Sequence, residues 1–307
     1  MAGTGGGAPR FEILIPYYGD VALMQAAVRS VLALDGDDWR LTVVDDGTEP
    51  EVPAWFGSLA DPRVRYFRNA ENLGVTGNFN RCVELAEYDH LVLMGCDDLM
   101  HPDYLTVVRR ALGRHPDAAM VQPGVLVIDG DGQPVSTLGD SVKRRLYAPK
   151  ESGPALLGGE ALAASLLRGN WLYFPSICWR TDAVRQFGFR ADLGVIQDLA
   201  LVMDLVVAGE SLATAPEVCF SYRRHAVSES SAKAFTGDRF TEARRFFLET
   251  AVRLDALGWP AAATAARRHR STRLHALTLL PGALRRGQTE GARSLTRFAL
   301  APARSDR

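Results

Sequence analysis

The chain has 307 residues, 47% hydrophobic and 23% charged, which is long enough for one large or two modest folded domains and too apolar for a disordered chain. Its 28 glycines and 16 prolines follow no fixed period, and no repeat of about 20 to 50 residues is present, which excludes collagen-like and solenoid architectures. The formal net charge of -1 hides an asymmetry: residues 239–307 hold fourteen arginines against five acidic residues, and the rest holds 21 basic against 31 acidic.

Residues 1–10 begin glycine-rich, with neither a basic region nor an apolar core, and read as a flexible tail rather than a secretory signal. From residue 11 short apolar runs alternate with stretches of helical spacing, the pattern of strand–helix units in a largely parallel sheet. The predicted strands are Phe11 to Pro16, Leu41 to Val44, Val64 to Phe67, His90 to Met94 and Ala118 to Gln122. Val21, Met24, Val28, Val31 and Leu32 mark one crossover helix, and Phe79, Cys82, Val83 and Ala86 another.

Past residue 122, Val125 to Ile128, the turn Asp129-Gly130-Asp131-Gly132, and Gln133 to Ser136 read as a hairpin that begins antiparallel structure. Residues 139–158 read as a mobile loop. A short helix at Glu160 to Leu167, an aromatic run from Trp171 to Trp179, a helix at Asp198 to Ala208 and a strand at Val218 to Arg223 follow. From Asp238 the sequence is helical, with breaks expected at Gly258-Trp259-Pro260, Pro281-Gly282 and Gly287.

Cys82, Cys96, Cys178 and Cys219 are far apart with no CxxC spacing, so they suggest neither a zinc site nor a disulfide framework, and a reducing cytoplasm fits. No apolar run approaches the ~18 residues needed to span a bilayer.

Carboxylates gather at the carboxyl ends of two predicted strands, Asp45-Asp46-Gly47 and Asp97-Asp98, on the edge where open α/β sheets bind ligands. Two adjacent carboxylates after a buried strand call for a compensating cation, and Mg2+ or Mn2+ bridging phosphate oxygens would supply it. The turn after the first strand, Pro16-Tyr17-Tyr18-Gly19-Asp20, lacks the glycine triad of a dinucleotide site. Asp129 to Gly132 lacks the spaced carboxylates of a calcium loop.

Taken together, Ile13-Leu14-Ile15-Pro16-Tyr17-Tyr18, Val43-Val44-Asp45-Asp46-Gly47-Thr48, Asn72-Leu73-Gly74, Asn80 and Gly95-Cys96-Asp97-Asp98-Leu99-Met100-His101-Pro102 resemble the family-2 glycosyltransferases of GT-A fold. The resemblance implies an α/β fold with a mixed sheet flanked by helices, and inverting transfer of a sugar from a nucleoside diphosphate donor. It spans roughly residues 11–230. The corresponding division is a catalytic domain at 11–235, with 11–122 binding the nucleotide sugar and 123–235 the acceptor, followed by a basic helical extension at 236–307.

By position, the resemblance assigns the nucleotide to Pro16, Tyr17, Tyr18, Asp46, Asn72, Asn80 and Asp97, and the divalent metal to Asp98. Gly95 stands where many relatives carry the first carboxylate of an Asp-x-Asp-Asp run, and Phe79 where many carry arginine. Arg223, Arg224 or His225, in a stretch resembling the family's closing motif, could then neutralise the diphosphate, and His225 could also reach the metal. Asp198 matches the family's catalytic aspartate, with Gln197 in place of the usual glutamate; read without the resemblance, Asp198 is a helix cap. As a base, Asp198 would deprotonate the acceptor hydroxyl as it attacks the anomeric carbon.

Trp171, Tyr173, Phe174 and Trp179 either stack on acceptor sugars, with Gln197 nearby, or pack in the core. A sugar-1-phosphate nucleotidyltransferase would need a glycine-rich basic loop after the first strand, and a catalytically silent nucleotide- or carbohydrate-binding module is the other alternative. The basic extension, with Arg267, Arg268, Arg270 and Arg273 beside Leu274, Leu277 and Leu280, reads as a solvated or packing helix or as a contact to anionic lipid, which would suit a lipid-linked acceptor at the inner membrane face. Nucleic acid is disfavoured because the acidic remainder would repel it.

Overall fold

The computed structural model describes residues 9–135, 153–224 and 238–301. Four parallel strands open it: β1 (Phe11–Tyr17), β2 (Trp39–Asp45), β3 (Val64–Arg68) and β4 (His90–Leu93). β1 and β2 are buried along nearly their whole length, the reason they read as continuous apolar runs rather than as alternation. Helices α1 (Val21–Leu32), α2 (Val52–Ser58) and α3 (Gly74–Leu85) make the crossovers.

β5 (Leu99–Met100), α4 (Tyr104–Arg114) and β6 (Met120–Ile128) come next. The second half adds β7 (Leu156–Leu157), α5 (Gly159–Arg168), a 3-10 turn at Phe174–Ser176, β8 (Cys178–Arg180), α6 (Thr181–Phe187), α7 (Gln197–Val207) and β9 (Leu212–Arg223). The sheet runs β3-β2-β1-β4-β8-β6-β9-β5, with β7 on β9; β8 lies antiparallel between β4 and β6. Apolar side chains fill both faces, one under α1 and α4, the other under α3, α5, α6 and α7.

The hairpin expectation needs correction. Val125 to Ile128 is not a new strand but the continuation of β6, which pairs parallel with β9 across a register shift at Gly124. A Cβ at Gly124 would lie 2.5 Å from the Pro216 carbonyl oxygen, so the bulge requires glycine. The Asp129 to Gly132 turn does form, closed by Asp129 N to Gln133 O at 2.9 Å, and among the described residues the returning chain pairs antiparallel at Ile128 and Pro134, with Val135 N on Val127 O at 2.9 Å. Most of the 139–158 loop and Ser136 lie outside the described residues.

Four C-terminal helices follow: α8 (Asp238–Ala256), α9 (Pro260–Arg268), α10 (Arg270–Arg285) and α11 (Thr289–Leu300). α8 and α9 bury Phe246, Phe247, Leu254, Ala262 and Ala266 in the same core as Leu162 and Leu166 of α5. α10 and α11 form a smaller core around Phe240, Ala276, Leu295 and Phe298. Pro281 sits inside α10 and does not break it, because it lies on the exposed side where solvent replaces a lost backbone bond most readily.

The unforeseen break is at His269, in left-handed backbone at φ 26° between α9 and α10. Its ring is fully buried, stacked on Phe247 at 5.2 Å, with Nδ1 3.0 Å from the Ala266 carbonyl oxygen and Nε2 accepting from Arg273 Nε at 3.2 Å. Burial pulls its pKa down to about 4, with Arg273 and Arg244 nearby opposing a second positive charge. A histidine depressed in the folded state stabilises fully above its unfolded pKa, and that stability is lost as pH falls from about 6.5 toward 4. The whole chain should therefore lose about 3 kcal/mol over this window. His269→Asn, which tolerates the left-handed backbone, should flatten the loss in urea melts at pH 7 and pH 4.5.

Candidate active site

The strand order reverses at β1, with β2 and β3 on one side and β4 on the other, which opens a crevice at their carboxyl ends. Two loops meet there. The first, after β1, is shaped by Asp20, whose Oδ1 accepts from Leu23 N at 2.9 Å and caps α1. Tyr17 is not a ligand group: its ring is fully buried and its hydroxyl donates to the Gly19 carbonyl at 2.8 Å. Tyr18 is 60% exposed and Pro16 half-buried, so these two present the open surface.

The second loop carries Gly95, Cys96, Asp97 and Asp98. Burial, then Asp97, pushes the Cys96 thiol up to about 12, so it stays protonated and points at the Tyr18 carbonyl 3.8 Å away. Asp98 is 1% exposed. Its Oδ1 accepts from Arg223 N at 2.8 Å, while its Oδ2 is buried with no hydrogen-bond partner. Burial, then the neighbouring Asp97, drives the Asp98 carboxyl well above the usual carboxylate range.

Gly95 explains where the missing first carboxylate would have stood. A Cβ there would lie 2.5 Å from Asp98 Oδ2 and 3.0 Å from Asp97 Oδ1, so both carboxylates converge on that vacant side-chain position. An orphaned oxygen beside a second carboxylate suits a hard divalent cation. Among the described residues no group of three or more His, Cys, Asp or Glu could hold a metal, so the other ligands would be diphosphate oxygens and water.

Arg223 does not face a diphosphate. It is 7% exposed, with Nε on the Asp97 carbonyl at 2.8 Å and Nη1 on the carbonyls of Asp129 and Gly130 at 3.0 and 2.9 Å. Arg224 is half-buried and its backbone N donates to Ile128 O at 2.8 Å. His225 lies outside the described residues.

At the end of β2, Asp45 is fully buried, its carboxylate taken by Gly47 N, Arg68 and the Tyr66 hydroxyl. Asp46 is 5% exposed and holds the next turn: Oδ1 accepts from Asn69 Nδ2 and Leu73 N, each at 2.8 Å, and Oδ2 from Gly74 N at 2.9 Å. Asn72 Nδ2 adds a bond to the Asp46 carbonyl at 2.9 Å. Gly74 sits at φ 68°, a conformation that a side chain would strain. The Asp46 carboxylate thus shapes the 69–74 loop, leaving Oδ2 one acceptor direction for a further donor.

Asp198 is half-buried in the first turn of α7, and Asn170 Nδ2 lies 3.4 Å from its Oδ2. Gln197 is buried, its Oε1 accepting from Thr76 Oγ1 at 2.7 Å, so it joins α7 to α3. Asn80 likewise spends both ends of its amide on Phe189, at 2.9 and 2.8 Å. Phe79 packs against Phe174 and Phe189, ring centroids 5.4 and 5.1 Å apart, so the position where relatives carry arginine is apolar packing here.

Core packing also takes most of the aromatic run. Trp179 is fully buried, and Trp171 is 7% exposed with Nε1 on Ser165 Oγ at 3.1 Å. Tyr173 is half-buried, its ring 5.4 Å from that of Tyr222. Tyr222 is a participant the sequence reading missed. Burial, then Asp98, with Asp97 and Asp198 adding, pushes its hydroxyl up to about 12, so the charges of both acidic ends are felt at one tyrosine.

Glu242 of α8 is the other missed residue. Its carboxylate accepts from Gly194 N at 2.9 Å, Val195 N at 3.0 Å and Ile196 N at 3.3 Å, fixing the turn that leads into Asp198. Arg245, one turn on, holds the Asp192 carbonyl and carboxylate at 2.9 Å.

Residues 12–156 match the model of the glycosyl transferase family 2. These residues are a family 2 glycosyltransferase domain. The chain is 25% identical over 239 residues to an uncharacterized protein of Mycobacterium tuberculosis, MT1568, covering 75% of this chain and 72% of that one. It is 30% identical over 124 residues to a PGL/p-HBAD biosynthesis glycosyltransferase of Mycobacterium bovis, covering 39% of this chain and only 48% of the relative. The crystal structure of Staphylococcus aureus TarS residues 1-349 in complex with UDP-GlcNAc superposes with TM-score 0.62 at 13% identity, covering 94% of this chain and 90% of that one. At that identity the likeness shows the fold, which is GT-A. The family match includes Asp46, Asp97 and Asp98, whereas Asp198, Tyr222 and Glu242 lie beyond it.

Two outcomes test this geometry. Mn2+ should raise the melting temperature of the protein, and Asp98→Asn should abolish that shift while raising the metal-free melting temperature by a few degrees, because it replaces a carboxyl whose anion burial and Asp97 both disfavour. Glu242→Ala should lower kcat by about tenfold with donor affinity unchanged, and Glu242→Gln, which keeps an acceptor oxygen, should restore most of it in steady-state kinetics.

Proposed function

We propose that the protein transfers a sugar, with inversion, from a UDP-, dTDP- or GDP-linked donor to an acceptor hydroxyl, in cell-surface polysaccharide, glycolipid or glycosylated-metabolite synthesis. The observation that carries the reading is the partnerless, buried Asp98 Oδ2 beside Asp97 at the crevice of a family 2 domain. The loop after β1 is short and capped by Asp20, with no basic, glycine-rich segment of the kind a nucleotidyltransferase needs.

In this reading Tyr18 and Pro16 form the floor for the nucleobase, Asp46 holds the 69–74 loop that borders it, and Asp97 faces the ribose and donor sugar. A Mg2+ or Mn2+ ion held by Asp98 would neutralise charge developing on the leaving diphosphate. Asp198 takes the acceptor proton. Tyr173 and Tyr222 line the acceptor side between the two acidic ends. The acceptor class draws support from the mycobacterial PGL/p-HBAD biosynthesis relative, and UDP is the first donor nucleotide to test because TarS was crystallised with UDP-GlcNAc. A cytoplasmic setting belongs to the same proposal, supported by four cysteines that are all free.

Calorimetry with UDP, dTDP, GDP and CMP, with and without Mn2+, should reveal one diphosphate whose binding needs the metal. Asp198→Asn should leave that binding intact and lower turnover at least ~100-fold, the usual scale for losing a general base. Binding of no nucleotide by a folded sample would instead favour the silent module.

A further inference from the structure

The C-terminal helix pair carries an apolar stripe that is exposed among the described residues. Leu274, Leu277 and Leu284 are 61%, 41% and 62% exposed, and Pro281 is exposed with them. At the helical period these four residues fall on one face of α10, opposite the buried Ala276 and Ala283 that seat the helix on the protein. Arg270 continues the same face before Leu274, and Arg285 borders it after Leu284, both exposed. On α11 the exposed Arg293, Arg297 and Leu300 share one face in the same way.

Charge identifies the partner. From Arg267 to Ala301 the sequence holds eight arginines and one acidic residue, Glu290, whereas residues 1–238 carry an excess of acidic side chains. Arg267 is neutralised by Asp255 and Arg273 is tied to His269 and Ala301, but Arg268, Arg270, Arg285, Arg293 and Arg297 are exposed. An apolar stripe bracketed by arginines matches the boundary between acyl chains and anionic headgroups: leucines enter the apolar layer and guanidiniums meet phosphates. The excess of acid elsewhere turns the rest of the molecule away from the same surface. No helix among the described residues is long and apolar enough to cross a membrane, so the contact is one that lies on the surface.

We propose that the exposed face of α10, with the arginines of α10 and α11, docks this protein on an anionic phospholipid surface. The docking is separate from the proposed sugar transfer and is tested without a donor or acceptor. The full-length protein should co-sediment with vesicles containing about one-third anionic phospholipid, bind zwitterionic vesicles at least ~10-fold more weakly, and release in 0.5 M salt by a similar factor, since exposed charge is screened (about 0.5 M being well above the screening threshold). Leu277→Glu with Leu284→Glu should lose the binding at least ~10-fold with an unchanged melting temperature, because both side chains are already in solvent. Arg270→Ala with Arg285→Ala should lose the anionic preference.

Equal binding to both vesicle types, or none, overturns the proposal. So does a dimer in sedimentation equilibrium that the leucine variant dissociates, since the stripe would then be covered by a second copy. Tight binding to duplex DNA that survives the leucine changes would also overturn it.

Discussion

Asp98 is a carboxylate with one oxygen held and the other stranded in the interior, and most of the crevice is built around keeping it there. Arg223 does the holding through its backbone and its guanidinium together, which pins the end of β9 to the carbonyls of Asp97, Asp129 and Gly130. To reach that point β9 must run twelve residues beside β6, and the Gly124 bulge lets the two strands bend without losing their pairing. An uncompensated buried carboxylate costs several kcal/mol, so a fold that retains one is biased toward whatever cation relieves it. A cation bound there would make ligand binding and stability one linked quantity.

The two halves on either side of this point share one core. Thr76 reaches Gln197, Asn80 clamps Phe189 from both sides, and Phe79, Phe174 and Phe189 stack between them. Side chains expected to touch a ligand instead set the distance between the Asp46 loop and the helix that carries Asp198. The Asn80 amide uses one donor and one acceptor direction on Phe189, and that pair of bonds fixes its orientation. Placement of Asp198, the proposed base, is therefore decided by packing several residues away, where small errors in geometry are expensive in rate.

The parallel strands were legible because burial on both faces leaves continuous branched runs, and the acidic strand ends because carboxylates there break an apolar pattern. The unpredicted α2 and α6 are seven-residue helices in mixed sequences such as Val52-Pro53-Ala54-Trp55 and Thr181-Asp182-Ala183-Val184, too short for a periodic stripe, whereas α4 carries one in Tyr104, Leu105, Val108, Ala111 and Leu112 that the reading passed over. Val125 to Ile128 looked like a new strand because Pro123-Gly124 reads as a break, whereas parallel pairing to β9 carries the strand through it. Asp46, Asp97 and Asp98 stood out by residue type at strand ends, and Asp198 only through the family resemblance. The jobs of Tyr17, Asn80, Trp171, Gln197 and Arg223 could not, because which partner takes a polar group depends on contacts up to 126 residues apart along the chain. Glu242 left no local mark at all: its three bonds lie 46 to 48 residues upstream.

That last contact changes what the C-terminal helices are. A basic, alanine-rich segment after a catalytic domain invites the view of an appendage, but α8 buries Phe246, Phe247 and Leu254 in the main core, and each such side chain stabilises by about 1.5–3 kcal/mol. The same helix sends Glu242 outward to the turn before Asp198 and Arg245 to Asp192. Glu160 of α5 returns the connection by accepting from Ala262 N at the start of α9. Catalytic half and extension thus cap each other's helix ends, and α8 contributes side chains to both cores. α10 and α11 pack around a smaller core that Phe240 of α8 joins, and from Arg270 to Leu300 they carry six arginines against one acidic residue.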